Sequence, residues 1–183
     1  MKTIVSLSIA SVLCLARLHA ESLPGQIDFG SFSPSKSGGE FVEIQLKGPL
    51  LSLAARVAGK EDPEVGRLFE SLKSVHVNVV GLGEDNRSQV SERLTEIRGQ
   101  LTKEGWERIV NVQEKGSQVS VHVKMRGSES VEGIVVMIEE RGKQAVFINV
   151  VGDVKPEQLE KLGARLNLEP LKHAGQALNK EKK

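Results

Sequence analysis

The chain has 183 residues, 25 of them Lys or Arg and 24 Asp or Glu, with one Trp, no Tyr and five Phe. A nearly neutral chain with so few aromatic rings lacks the basic excess and the stacking platforms of most nucleic-acid binders. Carbohydrate binders, which often use exposed aromatic faces, are disfavoured for the same reason.

The first twenty residues have the pattern of a secretory signal peptide. Lys2 supplies the positive start, Thr3 to Ala16 is mostly apolar, and cleavage is predicted after Ala20. The apolar run is too short to cross ~30 Å of hydrocarbon, so we expect no membrane span in the mature chain and a periplasmic or secreted location. Cys14, the only cysteine, lies within the run, so cleavage would leave no disulfide and no thiolate site.

Residues 21–40 form a stretch rich in Gly, Pro and Ser that is predicted to be a flexible leader. Three large apolar side chains interrupt this polar stretch, namely Ile27, Phe29 and Phe32. We expect this part of the leader to dock onto the folded domain, which is predicted to begin near Phe41.

The first half of the domain is predicted to contain two strands and three helices. "FVEIQL" largely alternates between polar and apolar residues, which indicates a strand. A short helix should begin at Pro49. Its buried stripe is predicted to contain Leu50, Leu53, Ala54 and Val57. Asp62 should cap a second helix, because a proline and an acid follow it. After a strand at Val75–Val80, the clearest amphipathic helix should be capped by Asp85 or Asn86.

The second half is predicted to contain four strands in quick succession and a final helix. The strands are predicted at Trp106–Val112, Val119–Arg126, Gly133–Glu140 and Gln144–Val151. Their short connections favour antiparallel hairpins. The final helix is predicted to run from Pro156 to about Leu166. Its inward side chains should be Leu159, Leu162 and Leu166.

The order of elements, βαβαββββα, favours an α+β fold. We predict a single mixed, largely antiparallel sheet of about six strands packed against three to four helices. The predicted domain spans residues 41–168, and residues 169–183 form a basic C-terminal tail.

Two histidines occur in similar strand patterns, His76 in "SVHVNVVG" and His122 in "VSVHVKMRG". Period-two alternation places each histidine opposite its flanking valines, on what we expect to be the less buried face of the sheet. Neither strand offers further His, Cys or Asp side chains at ligand spacing, and no partner for a general base is apparent. We therefore predict no catalytic, cofactor-binding or metal-binding residues and no cofactor.

The strands "GIVVMIEE" and "AVFINVVG" are apolar on both faces. One explanation is that a helix or the Phe29 and Phe32 leader covers the second face. The other is an exposed patch that recruits a partner or a second copy of the chain. The candidate interaction face then consists of Val135, Met137, Phe147, Val151 and His122.

Several segments resemble a known family. "LPGQIDFGSF", "FVEIQL", "GWERIV", "VEGIVVMI" and "INVVGDVKPEQLEKLG" are similar to the bacterial exported family known as domain of unknown function 4252. The resemblance extends from about Leu23 to Pro170. It implies no established enzymatic role, no cofactor and no functional residues, and it implies an envelope-sensing context.

The leading functional hypothesis is a non-enzymatic protein-binding domain at the cell envelope, whose partner is an unknown envelope protein or a second copy. The alternatives are a hydrolase that uses His76 or His122, and a small-ligand carrier. A hydrolase requires the two imidazoles to converge in a cleft with a carboxylate behind one of them. A carrier requires a cavity between helices and sheet.

Overall fold

The fold is a six-stranded antiparallel sheet with helices on both faces. A computed structural model describes residues 23–127, 130–155, 158 and 160. The elements are β1 (Phe41–Lys47), α1 (Pro49–Glu61), α2 (Pro63–Ser71), β2 (Leu72–Gly81), α3 (Arg87–Lys103), β3 (Glu107–Glu114), β4 (Ser117–Arg126), β5 (Ser130–Glu140) and β6 (Gln144–Val154). The predicted signal peptide, most of the predicted final helix and the basic tail lie outside the described residues. No helix in the described part of the chain is long and apolar enough to span a bilayer.

The predicted α+β class and the six strands are confirmed. The strand order is β1-β2-β6-β5-β4-β3, and all five described pairs are antiparallel, so the sheet is not mixed. Because β2 and β3 are four steps apart in this order, they run in the same direction. A connection across the sheet must therefore join them, and α3 provides it.

Local sequence signals explain where most elements begin and turn. Asp62 caps α2 as predicted, because its Oδ1 accepts hydrogen bonds from the backbone amides of Glu64 (2.8 Å) and Val65 (3.3 Å). Gly116 and Gly142 have φ of 88° and 71° in the β3–β4 and β5–β6 turns, a conformation that glycine adopts without a steric penalty.

The N-terminus of α3 is built differently from the prediction. Asn86 occupies the N-cap position but does not cap the helix with its side chain. Its amide instead accepts a hydrogen bond from the backbone amide of Gly83 (2.8 Å) and donates to the carbonyl of Gly81 (2.9 Å). The side chain therefore fixes the turn between β2 and α3.

Each face of the sheet carries its own apolar core. Alternate residues of β5 and β6 supply both cores, so Met137 and Phe147 point to one face while Val136 and Val150 point to the other. On the first face, α3 contributes Val90, Leu94, Ile97 and Leu101. The second face receives Leu68 of α2. This two-sided burial explains why β5 and β6 do not alternate between polar and apolar residues.

The orientation of α1 is opposite to the prediction. The buried residues of α1 are Leu51 and Ala55, whereas the predicted stripe points largely to solvent. The reason is the close approach of α1 and α2. A Cβ added to Gly66 of α2 would lie 2.7 Å from the Cα of Gly59, so only small residues fit at this crossing. The helix therefore turns the side that carries Leu51, Ala55 and Gly59 inward, and most of the predicted stripe faces outward.

The leader packs along the first face of the sheet. Ile27 and Phe29 are buried, as expected for docking, and Phe32 stacks on Phe147 with ring centroids 4.6 Å apart. The Arg93 guanidinium of α3 donates to the carbonyls of Phe29 (2.6 Å) and Asp28 (2.8 Å). Core residues therefore occur well before Phe41, where the domain was expected to begin.

Asn149 of β6 joins the leader to the centre of the sheet. Its Oδ1 accepts a hydrogen bond from the backbone amide of Ile27 (3.0 Å), and its Nδ2 donates to the carbonyls of Gly25 (3.0 Å) and Ile134 (3.0 Å). The side chain is 1% exposed, so water cannot replace these partners.

We expect Asn149→Leu to lower the free energy of unfolding by about 1–3 kcal/mol, because the substitution leaves buried backbone groups without partners. Urea unfolding measures the change. Asn111→Leu is the matched control, since Asn111 is an exposed strand residue, and its effect should stay within about 0.5 kcal/mol. Equal stability of the two variants would contradict the role assigned to Asn149.

The α1–α2 crossing gives a second prediction. Gly66→Ala should destabilise the domain by about 1 kcal/mol or more, because the new methyl group would overlap Gly59 and displace a helix. Gly99→Ala in α3 is the control, since a Cβ there meets nothing within 4 Å. It should stabilise the domain by about 0.5–1 kcal/mol through helix propensity alone. Thermal unfolding of both variants measures whether stability falls for Gly66→Ala and rises for Gly99→Ala.

Candidate interaction surface

The two histidines lie on the same face of the sheet but far apart. His76 is in β2 and His122 in β4, with β6 and β5 between them. Three inter-strand spacings of ~4.8 Å separate them by roughly 14 Å. The convergence that a two-histidine hydrolase requires is therefore not present. Within residues 23–127 and 130–155, no three His, Cys, Asp or Glu side chains gather closely enough to hold a metal ion.

His76 is surrounded by neighbours from the sheet and the leader. Its Nε2 lies 3.2 Å from Nδ2 of Asn78 and 3.6 Å from Oε1 of Glu43. The ring centroid lies 5.4 Å from that of Phe29. These contacts place the imidazole at the edge of the leader, where it fills space beside an aromatic ring and meets a carboxylate that is itself largely exposed.

His122 is buried, although the sequence predicted the less buried face for it. The residue is 7% exposed, and its neighbour on the same face, Ser120, is 3% exposed. Burial lowers the pKa of His122 to about 4, and the positive charges of Arg108 and Arg98 add to this effect. Nδ1 of His122 and Oγ of Ser120 have no hydrogen-bond partner in the described part of the chain. The neutral imidazole is therefore a core side chain in this structure.

The face predicted to be a candidate interaction surface is interior. Its five residues are at most 7% exposed: Val135, Met137, Phe147, Val151 and His122. The first three of these pack in one cluster with α3 and the leader. The strands β5 and β6 are therefore apolar on this face because α3 and the leader cover it, which is the first of the two explanations given above.

The exposed apolar side chains are elsewhere, in β1 and α1. Leu50, Leu53 and Val57 are 55%, 50% and 59% exposed, and Ile44 of β1 is 43% exposed. Positions i, i+3 and i+7 share one side of a helix, so the three α1 residues form a stripe about 10 Å long. β1 and α1 are joined by Gly48 alone and pack against each other. We call these four residues the α1–β1 patch.

The sequence contained a signal for this patch that the apolar stripe alone did not reveal. "PLLSLAARVAG" is apolar or small on nearly every side of the helix, so apolar spacing permits two orientations. The small residues Ala55 and Gly59 decide between them, because they lie one turn apart and permit close packing against Gly66.

A depression between the leader and α3 is the best candidate for a ligand pocket near the core. It has a volume of 230 Å³ and is lined by Ser31, Phe32, Gln89, Glu92, Arg93 and Glu96. Five of these six side chains are polar, and four of the five come from α3. The volume lies below the ~300–1,000 Å³ of typical small-molecule sites.

The buried imidazole gives a prediction for pH. The unfolded chain binds a proton near pH 6.5, whereas His122 in the folded chain does so only near pH 4. Between these values the unfolded state binds more protons, so folding stability should fall as the pH falls from 6.5 to about 4. His122→Leu should remove this part of the slope. Urea midpoints of both proteins across this range test the prediction, and parallel pH profiles would contradict it.

Comparison with known proteins identifies the family without indicating an activity. No curated protein and no solved structure matches the chain. Residues 36–162 match the family described as "Domain of unknown function (DUF4252)". These residues include every described strand and helix, and they account for more than half of the 183 residues. The chain belongs to the DUF4252 family.

Proposed function

We propose that the protein is an exported, non-enzymatic domain that binds another protein at the cell envelope through the α1–β1 patch. Export rests on the signal-peptide pattern of residues 1–20. Binding rests on the patch itself, because both other large apolar surfaces of the sheet are buried. A sensing or stress context is the finer part of the proposal, and its support is the resemblance noted from the sequence.

The chemistry of the patch favours a protein partner. Its exposed groups are aliphatic, with no exposed aromatic ring on which a sugar or a base could stack. Large apolar side chains scattered singly over a surface need no explanation, but a cluster often marks a binding site. In the described part of the chain, four of the five large hydrophobic residues that are exposed belong to β1 and α1, so the exposure is concentrated in two consecutive elements.

The edge of the sheet adds a second means of contact. β1 is the terminal strand and pairs only with β2 among the described strands. Its outer backbone groups are therefore available to an added strand. A partner that contacts both the α1 stripe and the β1 edge would bury apolar side chains and satisfy backbone hydrogen bonds together. Polar side chains alternate along the strand at Glu43, Gln45 and Lys47.

The positions of the two histidines and the small volume of the depression beside α3 favour protein binding over a hydrolase or a small-ligand carrier. A hydrolase that uses His76 or His122 would act through imidazoles that are separated by two strands, and one of them is buried. A small-ligand carrier would use the depression beside α3, which is smaller than typical ligand pockets.

Site-specific cross-linking tests the proposal in the native host cell. A photoreactive amino acid at Leu53 should give a discrete cross-linked product with an envelope protein. The same amino acid at Lys103, an exposed position of α3, should not give this product. Leu53 is half exposed, so the replacement should change folding stability by no more than about 0.5 kcal/mol.

A charge introduced into the patch tests whether the cross-linked product depends on the patch. Val57→Glu introduces a charge into the patch and should abolish the product at Leu53, while Arg56→Glu, on an adjacent exposed position, should reduce it less. Cross-linking to a second copy, with a matching dimer in sedimentation, would identify self-association as the binding mode. Absence of any product at Leu53, with the domain folded, would contradict the proposal.

A further inference from the structure

The two edges of the sheet differ in how readily they can accept another strand. β3 forms one edge, and its pairing with β4 is interrupted by a bulge between Arg108 and Val110. β1 forms the other edge, and its register with β2 is regular from Phe41 to Lys47. Bulges protect edge strands against further pairing. Within the described part of the chain, β1 is therefore the edge better suited to pairing with another strand.

The outward backbone groups of β1 belong to its odd-numbered residues. The backbone amide of Gly81 donates to the carbonyl of Glu40 (2.6 Å), so these two residues form a hydrogen-bonded pair at the start of the ladder. In an antiparallel ladder, hydrogen-bonded and non-hydrogen-bonded pairs alternate. The even-numbered residues of β1 therefore bond to β2, and the amides and carbonyls of Glu43, Gln45 and Lys47 point to the free edge.

We propose that β1 pairs antiparallel with β1 of a second copy of the chain, in a register centred on Gln45, and so joins the two sheets. This inference rests on the proposed function, because it names the occupant of the β1 edge. In this register Glu43 lies opposite Lys47 of the second copy, and Lys47 lies opposite its Glu43. Gln45 lies opposite its own equivalent on the two-fold axis. All three residues point their backbone groups outward, so each pair can exchange hydrogen bonds.

The charges of β1 favour this register over its neighbour. A two-fold axis through Gln45 places opposite charges across the interface twice, and cross-strand pairs of opposite charge are stabilising. An axis through Ile44 would also align the outward backbone groups, but it places Glu43 opposite Gln45 and Lys47 opposite Phe41. The Glu43 side chain is 58% exposed despite its contact with His76. Lys47 is exposed and forms no salt bridge within the described residues, so both charges are available to a second copy.

The same pairing covers exposed apolar surface on the other side of β1. Ile44, which is 43% exposed, would lie opposite Leu46 of the second copy, and Leu46 would lie opposite its Ile44. Because side chains alternate between the two faces of a strand, these aliphatic pairs lie on the face opposite the Glu43 and Lys47 pairs. The second copy therefore covers the β1 part of the α1–β1 patch.

Charge reversal tests the partner and the register together, with sedimentation measuring the dimer dissociation constant. Glu43→Lys should raise this constant about tenfold or more, because each Lys47 then lies opposite a lysine. Lys47→Glu should act in the same way. The double variant, Glu43→Lys with Lys47→Glu, should restore the constant to within about threefold of its original value, since opposite charges face each other again. Glu114→Lys, at an exposed position of β3, is the matched control and should leave it unchanged.

Disulfide formation locates the two-fold axis. Gln45→Cys in a Cys14→Ser background should form an intermolecular disulfide on mild oxidation, because residues that face each other at a hydrogen-bonded position have Cα atoms ~5.5 Å apart. Ile44→Cys should form one about tenfold more slowly, since its Cα atoms would lie roughly 8 Å apart on a diagonal. Asn111→Cys, at an exposed position of β3, gives the rate of random collision.

A protein that stays monomeric at every concentration tested would overturn the inference. So would a dimer that is unaffected by both single charge reversals or is not restored by the double variant, and faster disulfide formation at Ile44→Cys than at Gln45→Cys would overturn the register. The proposed function fails separately. If the protein is monomeric and the photoreactive residue at Leu53 still captures a different envelope protein, the patch is a binding site and only the second copy as its occupant is wrong. If the protein is monomeric and Leu53 gives no product, both proposals fail.

Discussion

The rest of the structure depends on the buried amide of Asn149. A strand that is buried on both faces leaves no room for a polar side chain unless each of its hydrogen-bonding atoms has a partner. Asn149 meets this condition by bonding the leader backbone at Gly25 and Ile27 and the neighbouring strand at Ile134. The leader in turn places Phe29 over the sheet, 5.6 Å from Phe147 between ring centroids. This amide and the Arg93 guanidinium together hold the leader backbone over the face that Phe29 closes.

Burial of both faces also determines where the protein can make contacts. The sheet has no large apolar face left for a partner, since α3 and the leader close one side and Leu68 of α2 lies on the other. The apolar side chains of α1 that remain exposed result from the packing of α1 against α2. Because Gly59 and Gly66 bring α1 and α2 close together, Leu50, Leu53 and Val57 face solvent. The α1 part of the α1–β1 patch is therefore a consequence of the close packing between α1 and α2.

The fold could be predicted from the sequence more fully than the surface. Alternation in "VSVHVKMRG" and short turns at Gly116 and Gly142 indicate strands and hairpins, because these signals are local. Which face of the sheet is exposed to solvent depends on residues that are distant in sequence. His122 was assigned to the less buried face because alternation places it opposite its flanking valines, yet it lies near Arg98 of α3, which the sequence cannot place. The orientation of α1 was missed for a similar reason, since Gly66 lies in another helix.

The contact between the leader and β6 has a consequence for the order of folding. Gly25 and Asn149 are 124 residues apart, and long-range contacts of this kind form late. During synthesis the leader emerges first, but the strand that receives it is the last of the six to appear. The first core cannot close until nearly the whole chain is available.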